Sequence, residues 1–445
     1  MSLNSCLVAC GFLIFVNSAH SIGLKEAYEL ALTNDPTYIA AIKENAAGLE
    51  NKNIGRASLL PKVTANYNQA SNRATQTGAQ FTGGPYISNN WSYPSDFAIL
   101  QVTQPLFSLD ALARWKQGVA QTEFSQSQFL YNTQDLLIRV LQAYTDYLFS
   151  IDQWSYLQIE RQSFSEQAKA SRRLFEKGEK SITDALEAES AFYLADAKLI
   201  DAADGIELSR GKLNAIIGRP VQSKDSFKSL VRAFPFIHLS RDTYISAQEA
   251  ALANNQELRA AANQVEVARQ EYKKNDAGHY PVLNMVVAAT TQSSNTVTSI
   301  NQTTNQNYIG LQLSLPIYSG NEVRSRAAQA YANYEKSKAE YEIVRNKIFI
   351  ELRKQYDLVQ SGAKKINALS NAQASAEKLV DAMSKSIKAG ESIQLDVLLA
   401  QRNLYITKRD LAQSKYNYLL AFLKVKQLTG EMGIDDLYKV ADYFR

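Results

Sequence analysis

Apolar positions along the chain follow two spacings, and stretches of one alternate with stretches of the other. Ala327, Tyr331, Tyr334, Tyr341, Val344, Ile348, Leu352, Tyr356, Val359, Ala363, Ile366 and Leu369 step mainly by three or four residues with no proline between them. That is the spacing of a helix packed along a seam. Moving 212 residues back from Ile348, Leu352, Tyr356, Val359, Ala363 and Ile366 reaches Leu136, Val140, Tyr144, Tyr147, Ile151 and Trp154, all apolar or aromatic. The pattern predicts two long helices, 109–176 and 322–389, of 68 residues each. At 1.5 Å per residue each would extend about 100 Å, far beyond an ordinary globular helix. Shorter helical patterns at 23–57, 182–217, 240–276 and 393–429 flank them, and two of these end to end match one long helix in length.

The second spacing is alternation. Ile309, Leu311, Leu313 and Leu315 interleave with Tyr308, Gly310, Gln312 and Ser314, a two-sided strand pattern. Val63, Ala65 and Tyr67 alternate with Lys62, Thr64 and Asn66, and Leu100 and Val102 with Gln101 and Thr103, while Leu283 to Ala289 is a weaker apolar run. Residues 277–321 and 74–95 contain no Asp, Glu, Lys or Arg. Composition alone reads them as polar linkers. Each lies between alternating strands, so they are expected to be the polar tips of two β-hairpins, 61–107 and 281–318.

The two sets of elements are copies. Ala31-Leu32-Thr33-Asn34 recurs 220 residues on as Ala251-Leu252-Ala253-Asn254, and Leu60-Pro61 as Tyr280-Pro281. Gln104-Pro105-Leu106-Phe107 recurs at 211 as Leu315-Pro316-Ile317-Tyr318; Tyr144, Gly178, Asp184, Leu186 and Ile217-Gly218 recur at 212 as Tyr356, Gly390, Asp396, Leu398 and Thr429-Gly430. The chain therefore divides into repeat 1 (22–220), a linker (221–239), repeat 2 (240–430) and a tail (431–445), in which Ile434, Leu437 and Val440 could share an apolar face. The fall in offset puts extra length in the first hairpin, where exposed loops absorb it.

Composition narrows the function. The 445 residues carry 48 basic and 44 acidic side chains, net +4, interleaved rather than clustered, which argues against nucleic acid as a partner. Three histidines and two cysteines, Cys6 and Cys10, leave little for metal or thiol chemistry. His238 and His279 are not at ligand spacing, no nucleotide, hydrolase or zinc motif occurs, and no metal or cofactor is expected. Residues 1–21 read as an export signal: Leu7 to Val16 is apolar, with small residues before Ser21, although no Lys or Arg precedes it. A buried N-terminal strand or helix is the alternative, and Leu7-Val8-Ala9-Cys10 also looks like a lipoprotein cleavage box. No later run of about 18 apolar residues supplies a membrane helix. Four strands are too few for a spanning barrel, which needs at least eight, so a barrel would have to be shared between chains.

The ordered set of features resembles the TolC family of bacterial outer-membrane channels over Ile22 to about Tyr443. Leu-Thr-Asn-Asp-Pro at 32–36, Gln-Pro-Leu-Phe at 104–107, Ile-Thr-Asp at 182–184, Asp-Val-Leu at 396–398 and Tyr-Asn-Tyr-Leu at 416–419 are similar to its patterns. The resemblance implies a mainly α fold with a β-barrel portion: a homotrimer whose three four-strand sheets make one 12-strand barrel in outer-membrane lipid, continued by an α-helical tunnel through the periplasm. It implies a periplasmic adaptor (a membrane fusion protein) and an inner-membrane ABC or RND transporter as partners, and a passive duct rather than an enzyme. Residues 396–442 look most like secretion-associated members, which favours type I protein secretion over multidrug efflux. A secreted coiled-coil scaffold without a pore and an exported enzyme are the competing classes.

Gly178 and Gly390 read as helix-ending glycines. The resemblance places Lys177, Gly178, Glu179, Ala389, Gly390 and Glu391 where the adaptor docks. Asp184 and Asp396 read equally as first-turn acids stabilised by the helix dipole or as a ring of six carboxylates at a closed aperture. The resemblance puts Thr183, Asp184, Ile387, Ser392, Asp396 and Leu399 at that periplasmic gate. Ile387, Ser392 and Leu399 stand where the type member has polar or charged groups, which favours apolar packing over ion pairs in closure.

Overall fold

The computed structural model describes residues 21–79, 81–179, 181–221, 226–228, 230–231, 234–237, 239, 243–294, 302–389 and 394–444. Residues 1–20 of the expected export signal, His238, Gly390, Glu391 and Ser392 lie outside these. Repeat 1 contains β1 (Ser21–Ile22), α1 (Leu24–Asn34), α2 (Pro36–Leu49), α3 (Asn51–Ala57), β2 (Lys62–Ala79), β3 (Tyr86–Phe107), α4 (Leu109–Glu176) and α5 (Ile182–Ile217). After β4 (Ser226–Phe227) come α6 (Tyr244–Asn254), α7 (Gln256–Asp276), β5 (Val282–Ser294), β6 (Gln302–Ser314), α8 (Glu322–Ala389), α9 (Gln394–Leu428) and α10 (Ile434–Ala441). The described residues form two compact units, one drawn from 21–40, 132–255 and 349–444 and one from 41–131 and 256–348.

In the first unit the duplication is visible in local geometry. The pattern at 23–57 predicts one helix, and the structure breaks it into three pieces. Asp35, before Pro36, is extended at ψ 115, because the proline ring disfavours helical geometry in the residue it follows. Its carboxylate then accepts the Thr37 amide at 3.3 Å and caps α2. Asn255 has nearly the same backbone, ψ 125, and divides 240–276 in the same way. The asparagine before each break packs on a glycine that ends a later helix: a Cβ on Gly218 would lie 2.3 Å from the Asn34 Cβ, and one on Gly430 2.2 Å from the Asn254 carbonyl oxygen. Both glycines have positive φ, 71° and 70°.

Leu136, Val140, Leu141 and Tyr144 of α4 form the core of this unit with Leu24, Ile217, Leu419, Phe422 and Leu423, all fully buried. The linker and tail close over it. β1 pairs in parallel with β4, the Tyr144 hydroxyl donates to the Ile22 carbonyl at 3.0 Å, and its ring meets Phe444 edge-on. The Tyr443 hydroxyl donates to Pro235 O at 2.7 Å, and that of Tyr418 to Ile237 O at 3.0 Å. Leu437 and Val440 of α10 are buried, whereas Ile434 is 43% exposed, so the tail's apolar face is narrower than its spacing suggested.

The second unit holds one antiparallel sheet in the order β2-β3-β5-β6. Its strands reach well beyond the alternating cores read from sequence. Most of 74–95, expected as a loop, is ladder out to Ala79↔Tyr86, supported by Thr75–Asn90 and Thr77–Ser88 side-chain bonds of 2.8 and 3.1 Å. Thr, Tyr and Trp favour strands without needing charge. The break between α2 and α3 has a tertiary cause. The Thr122 hydroxyl of α4 accepts the Lys52 amide and donates to the Gly48 carbonyl, both at 3.2 Å, thereby replacing one helical hydrogen bond with an inserted side chain.

Candidate functional site

The sheet has two chemically distinct faces, fixed by register. Directly opposed residues share a face. Val63, Val102, Val287 and Ile309 are linked across all four strands, as are Ala65, Leu100, Ala289 and Asn307. With Leu283, Met285, Leu311, Leu313 and Tyr67 they make one broad apolar face. Ile309, Leu311 and Leu313 are 74%, 68% and 66% exposed in the single chain, far more apolar surface than a water-facing sheet tolerates. The opposite face carries Thr64, Asn66, Gln101, Thr103, Asn284, Thr290, Gln306 and Gln312; of its apolar and aromatic members, Val286 and Ala288 are buried among neighbours, whereas Phe97 and Tyr308 stay 37% and 41% exposed. Strands of 18, 22, 13 and 13 residues all exceed the 9–11 that cross a bilayer. Among the described residues β2 and β6 each have a neighbour on one side only.

The helices also show a surface that one chain leaves open. Ala185, Ala188, Ala195, Ala202, Ser209 and Leu213 form the buried seam of α5. Leu186, Tyr193 and Ile200, seven residues apart, form a second seam that is more than half exposed. α4 is tied on two sides within its unit. Arg161 pairs with Asp196 of α5 at 2.6 Å, and Glu160 lies 3.8 Å from both Lys198 of α5 and Arg402 of α9. Ser163 bonds Gln401 at 3.1 Å. The Tyr416 hydroxyl donates to Asp152 at 3.3 Å. Burial raises the Asp152 carboxyl above its ordinary range, with the tyrosine bond acting against the shift. Burial and the Asp152 charge push Tyr156 up to about 12. Sequence spacing missed these ties, since charged residues on a helical pattern read as solvated.

The turn after α4 is a six-residue closure. The Glu179 amide donates to Leu174 O at 2.9 Å and the Gly178 amide to Phe175 O at 2.8 Å, with Gly178 at φ 73°, which satisfies the last carbonyls of the helix. Lys177, Gly178 and Glu179 are exposed. At the start of α5, Ser181 Oγ accepts the Asp184 amide at 3.3 Å and the Ser181 amide donates to the Asp184 carboxylate at 3.4 Å, a reciprocal capping box. Thr183 sits 2.6 Å from the Ser181 hydroxyl. Asp184 thus has a structural task in the first turn, and both it and Thr183 are exposed. Asp396 is half-buried in the first turn of α9 and Leu399 is 44% exposed. α8 ends at Ala389, two residues after Ile387. His279 closes a short turn before β5. No metal-ligand cluster and no helix apolar enough to cross a membrane occur among the described residues.

Residues 27–219 and 247–431 match the family model described as outer membrane efflux protein. The chain belongs to that family. It is 34% identical over 442 residues to the alkaline protease secretion protein AprF of Pseudomonas aeruginosa, covering 99% of this chain and 91% of that one. It is 26% identical to the outer membrane protein TolC of Escherichia coli over 95% of this chain and 85% of that one. In fold it is similar to the Campylobacter jejuni CmeC outer membrane channel, with a TM-score of 0.76, 13% identity, and 100% and 98% of the two chains covered. As a member of the outer membrane efflux protein family the chain is an outer-membrane channel reaching into the periplasm, not an enzyme. The two matched segments fall one in each repeat of the chain.

Proposed function

We propose that the chain is the outer-membrane exit duct of a type I protein-secretion system and that it exports a protease. The supporting observation is similarity to a protease secretion protein along almost the whole chain. The duct works by shape: three copies join β6 of one sheet to β2 of the next, giving twelve strands with the apolar face in lipid and the polar face around water. An open edge in lipid would leave amides and carbonyls unpaired, so closure between copies follows from the four-strand sheet. The exposed Leu186, Tyr193 and Ile200 seam is then the contact between helices of neighbouring copies. The turn at Lys177, Gly178 and Glu179, with Ala389, Gly390 and Glu391, meets the periplasmic adaptor, which links the duct to an inner-membrane transporter. Thr183, Asp184, Ile387, Ser392, Asp396 and Leu399 line the periplasmic gate.

The test is replacement. Put into Pseudomonas aeruginosa lacking AprF, this chain should restore protease in the medium; put into Escherichia coli lacking TolC, it should leave dye efflux defective. Restored efflux without protease export would assign the chain to small-molecule efflux instead.

A further inference from the structure

β3 and β5 are the inner strands of the sheet. α4 follows β3 and α7 leads into β5, so the ground between these helices lies at the middle of one chain's sheet, away from the β2 and β6 edges. A cleft of about 190 Å³ opens there. Its α4 side is Leu109, Leu112, Ala113 and Lys116, one stripe of the helix. On the same helix Asp110, Arg114 and Gln117 line a different recess, together with Lys62 and Asn284 of the polar sheet face. The two stripes are turned about 120° from one another, which directs the cleft toward the apolar face, where Phe107 opposes Leu283. Lys116 and Lys273 both line the cleft, both are exposed, and neither has an ion-pair partner among the described residues. Asp276 lines it at the end of α7, its side chain capping nothing. Gln270 forms part of the wall and is 3% exposed, and its side-chain carbonyl oxygen is buried without a hydrogen-bond partner. A buried acceptor left unmatched is costly and calls for a donor. Tyr280, 47% exposed, completes the lining beside Leu109 and Leu112.

We propose that this cleft holds the head group of a phosphatidylethanolamine from the periplasmic leaflet. The phosphate sits between Lys116 and Lys273, the ammonium meets Asp276 and the Gln270 carbonyl, and the acyl chains run along the apolar sheet face. The inference rests on the shared-barrel reading, which puts that face in lipid and the helices in the periplasm. Tyrosine and lysine side chains at the end of a spanning segment reach head-group depth, and a basic pocket between helices at that depth suits a lipid phosphate. A free phosphate would satisfy the lysines and leave Leu109 and Leu112 uncovered. Phosphatidylglycerol would set hydroxyls, not a cation, against Asp276. A second copy of the chain is the wrong occupant by position, since copies join at β2 and β6 and the cleft belongs to the strands between them.

The experiment gives the full chain, purified in mild detergent, equal amounts of phosphatidylethanolamine and phosphatidylglycerol with the same acyl chains. Native mass spectrometry then reads the oligomer and the lipid that stays on it, with inorganic phosphate added to a parallel sample. Trimers should retain phosphatidylethanolamine over phosphatidylglycerol by about fivefold, the worth of one partly exposed ion pair. Lys116→Gln combined with Lys273→Gln should lower retention of both lipids, and Asp276→Asn should keep lipid bound while erasing the preference. Equal retention of the two lipids by the unaltered chain, or a preference that survives Asp276→Asn, would overturn the head-group assignment. Retention unchanged in the double lysine variant would mark the lipid as a general coat and overturn the site. Displacement by inorganic phosphate would hand the lysines to a free anion. Each of these results, obtained on trimers, leaves the channel reading standing; monomers throughout would sink the shared barrel and the cleft with it.

Discussion

Arg139 of α4 donates to the carboxylate of Asp35 across 2.6 Å, and that carboxylate is 3% exposed. In repeat 2 the equivalent break is held without charge, by Asn255 donating to the Leu428 carbonyl at 2.9 Å. Asp35→Ala leaves the Arg139 guanidinium with Asp135, 2.8 Å away, and removes the α2 cap, so it should cost about 1–2 kcal/mol. Asn255→Ala should cost about 1 kcal/mol. Thermal unfolding in detergent measures both, and equal losses would show that the charge adds nothing.

Gly430→Ala should be among the most damaging single changes in the first unit. Positive φ alone costs an L residue about 1–2 kcal/mol, and the added Cβ would sit 2.2 Å from a backbone oxygen that has no flexible way to retreat. Gly218→Ala meets the Asn34 side chain instead and should be milder. Folded yield of the two variants ranks them.

Ile309→Arg turns a charge toward lipid at the middle of β6 and should lose about 2–4 kcal/mol, whereas Gln306→Arg on the opposite face meets water and should assemble normally. Equal recovery of both from outer membranes would contradict the assignment of faces.

Asp152→Asn should raise stability at neutral pH. Burial raises the folded-state carboxyl above its unfolded value, so between those two values the folded chain holds more protons, and stability falls as pH rises through that window. The amide avoids this loss while still accepting from Tyr416. Melting curves of the two proteins should converge in the acid range and separate toward neutrality; parallel curves would contradict the buried-carboxylate account.

At the gate, trivalent cations applied from the periplasmic side should block single-channel current, and Asp396→Ala should weaken the block. Leu399→Ala should leak more than Asp184→Ala if apolar packing holds the aperture shut. A leak from Asp184→Ala with Leu399→Ala tight would reverse that order. Block unaffected by either carboxylate would leave Asp184 to its capping box and Asp396 to its first turn.

Heptad spacing is local and repeats many times, so the long helices and their duplication were legible before any coordinates. The strands were legible only where they alternate between apolar and polar; the ladder at 71–79 and 86–94 mixes polar and apolar residues on both faces, and a charge-free stretch passed for a loop. The break at Glu50 has no sequence signature, because its cause is the Thr122 hydroxyl, 70 positions from the Lys52 amide it accepts. Asp184 illustrates the limit at the gate: the spacing Ser181-x-x-Asp184 is readable as a cap, but capping and lining an aperture ask for the same residue.

The unpaired edges of β2 and β6 also bear on supply. Under the three-chain closure proposed above, a newly exported chain owns a third of a barrel and has no finished form alone. Until two more copies arrive, its naked leucine-rich face and free edges invite mispairing with whatever strand passes. Channel number is then a steep function of synthesis when chains are scarce: a cell that halves production loses more than half its channels, and gains a dose control that no residue of the duct itself provides.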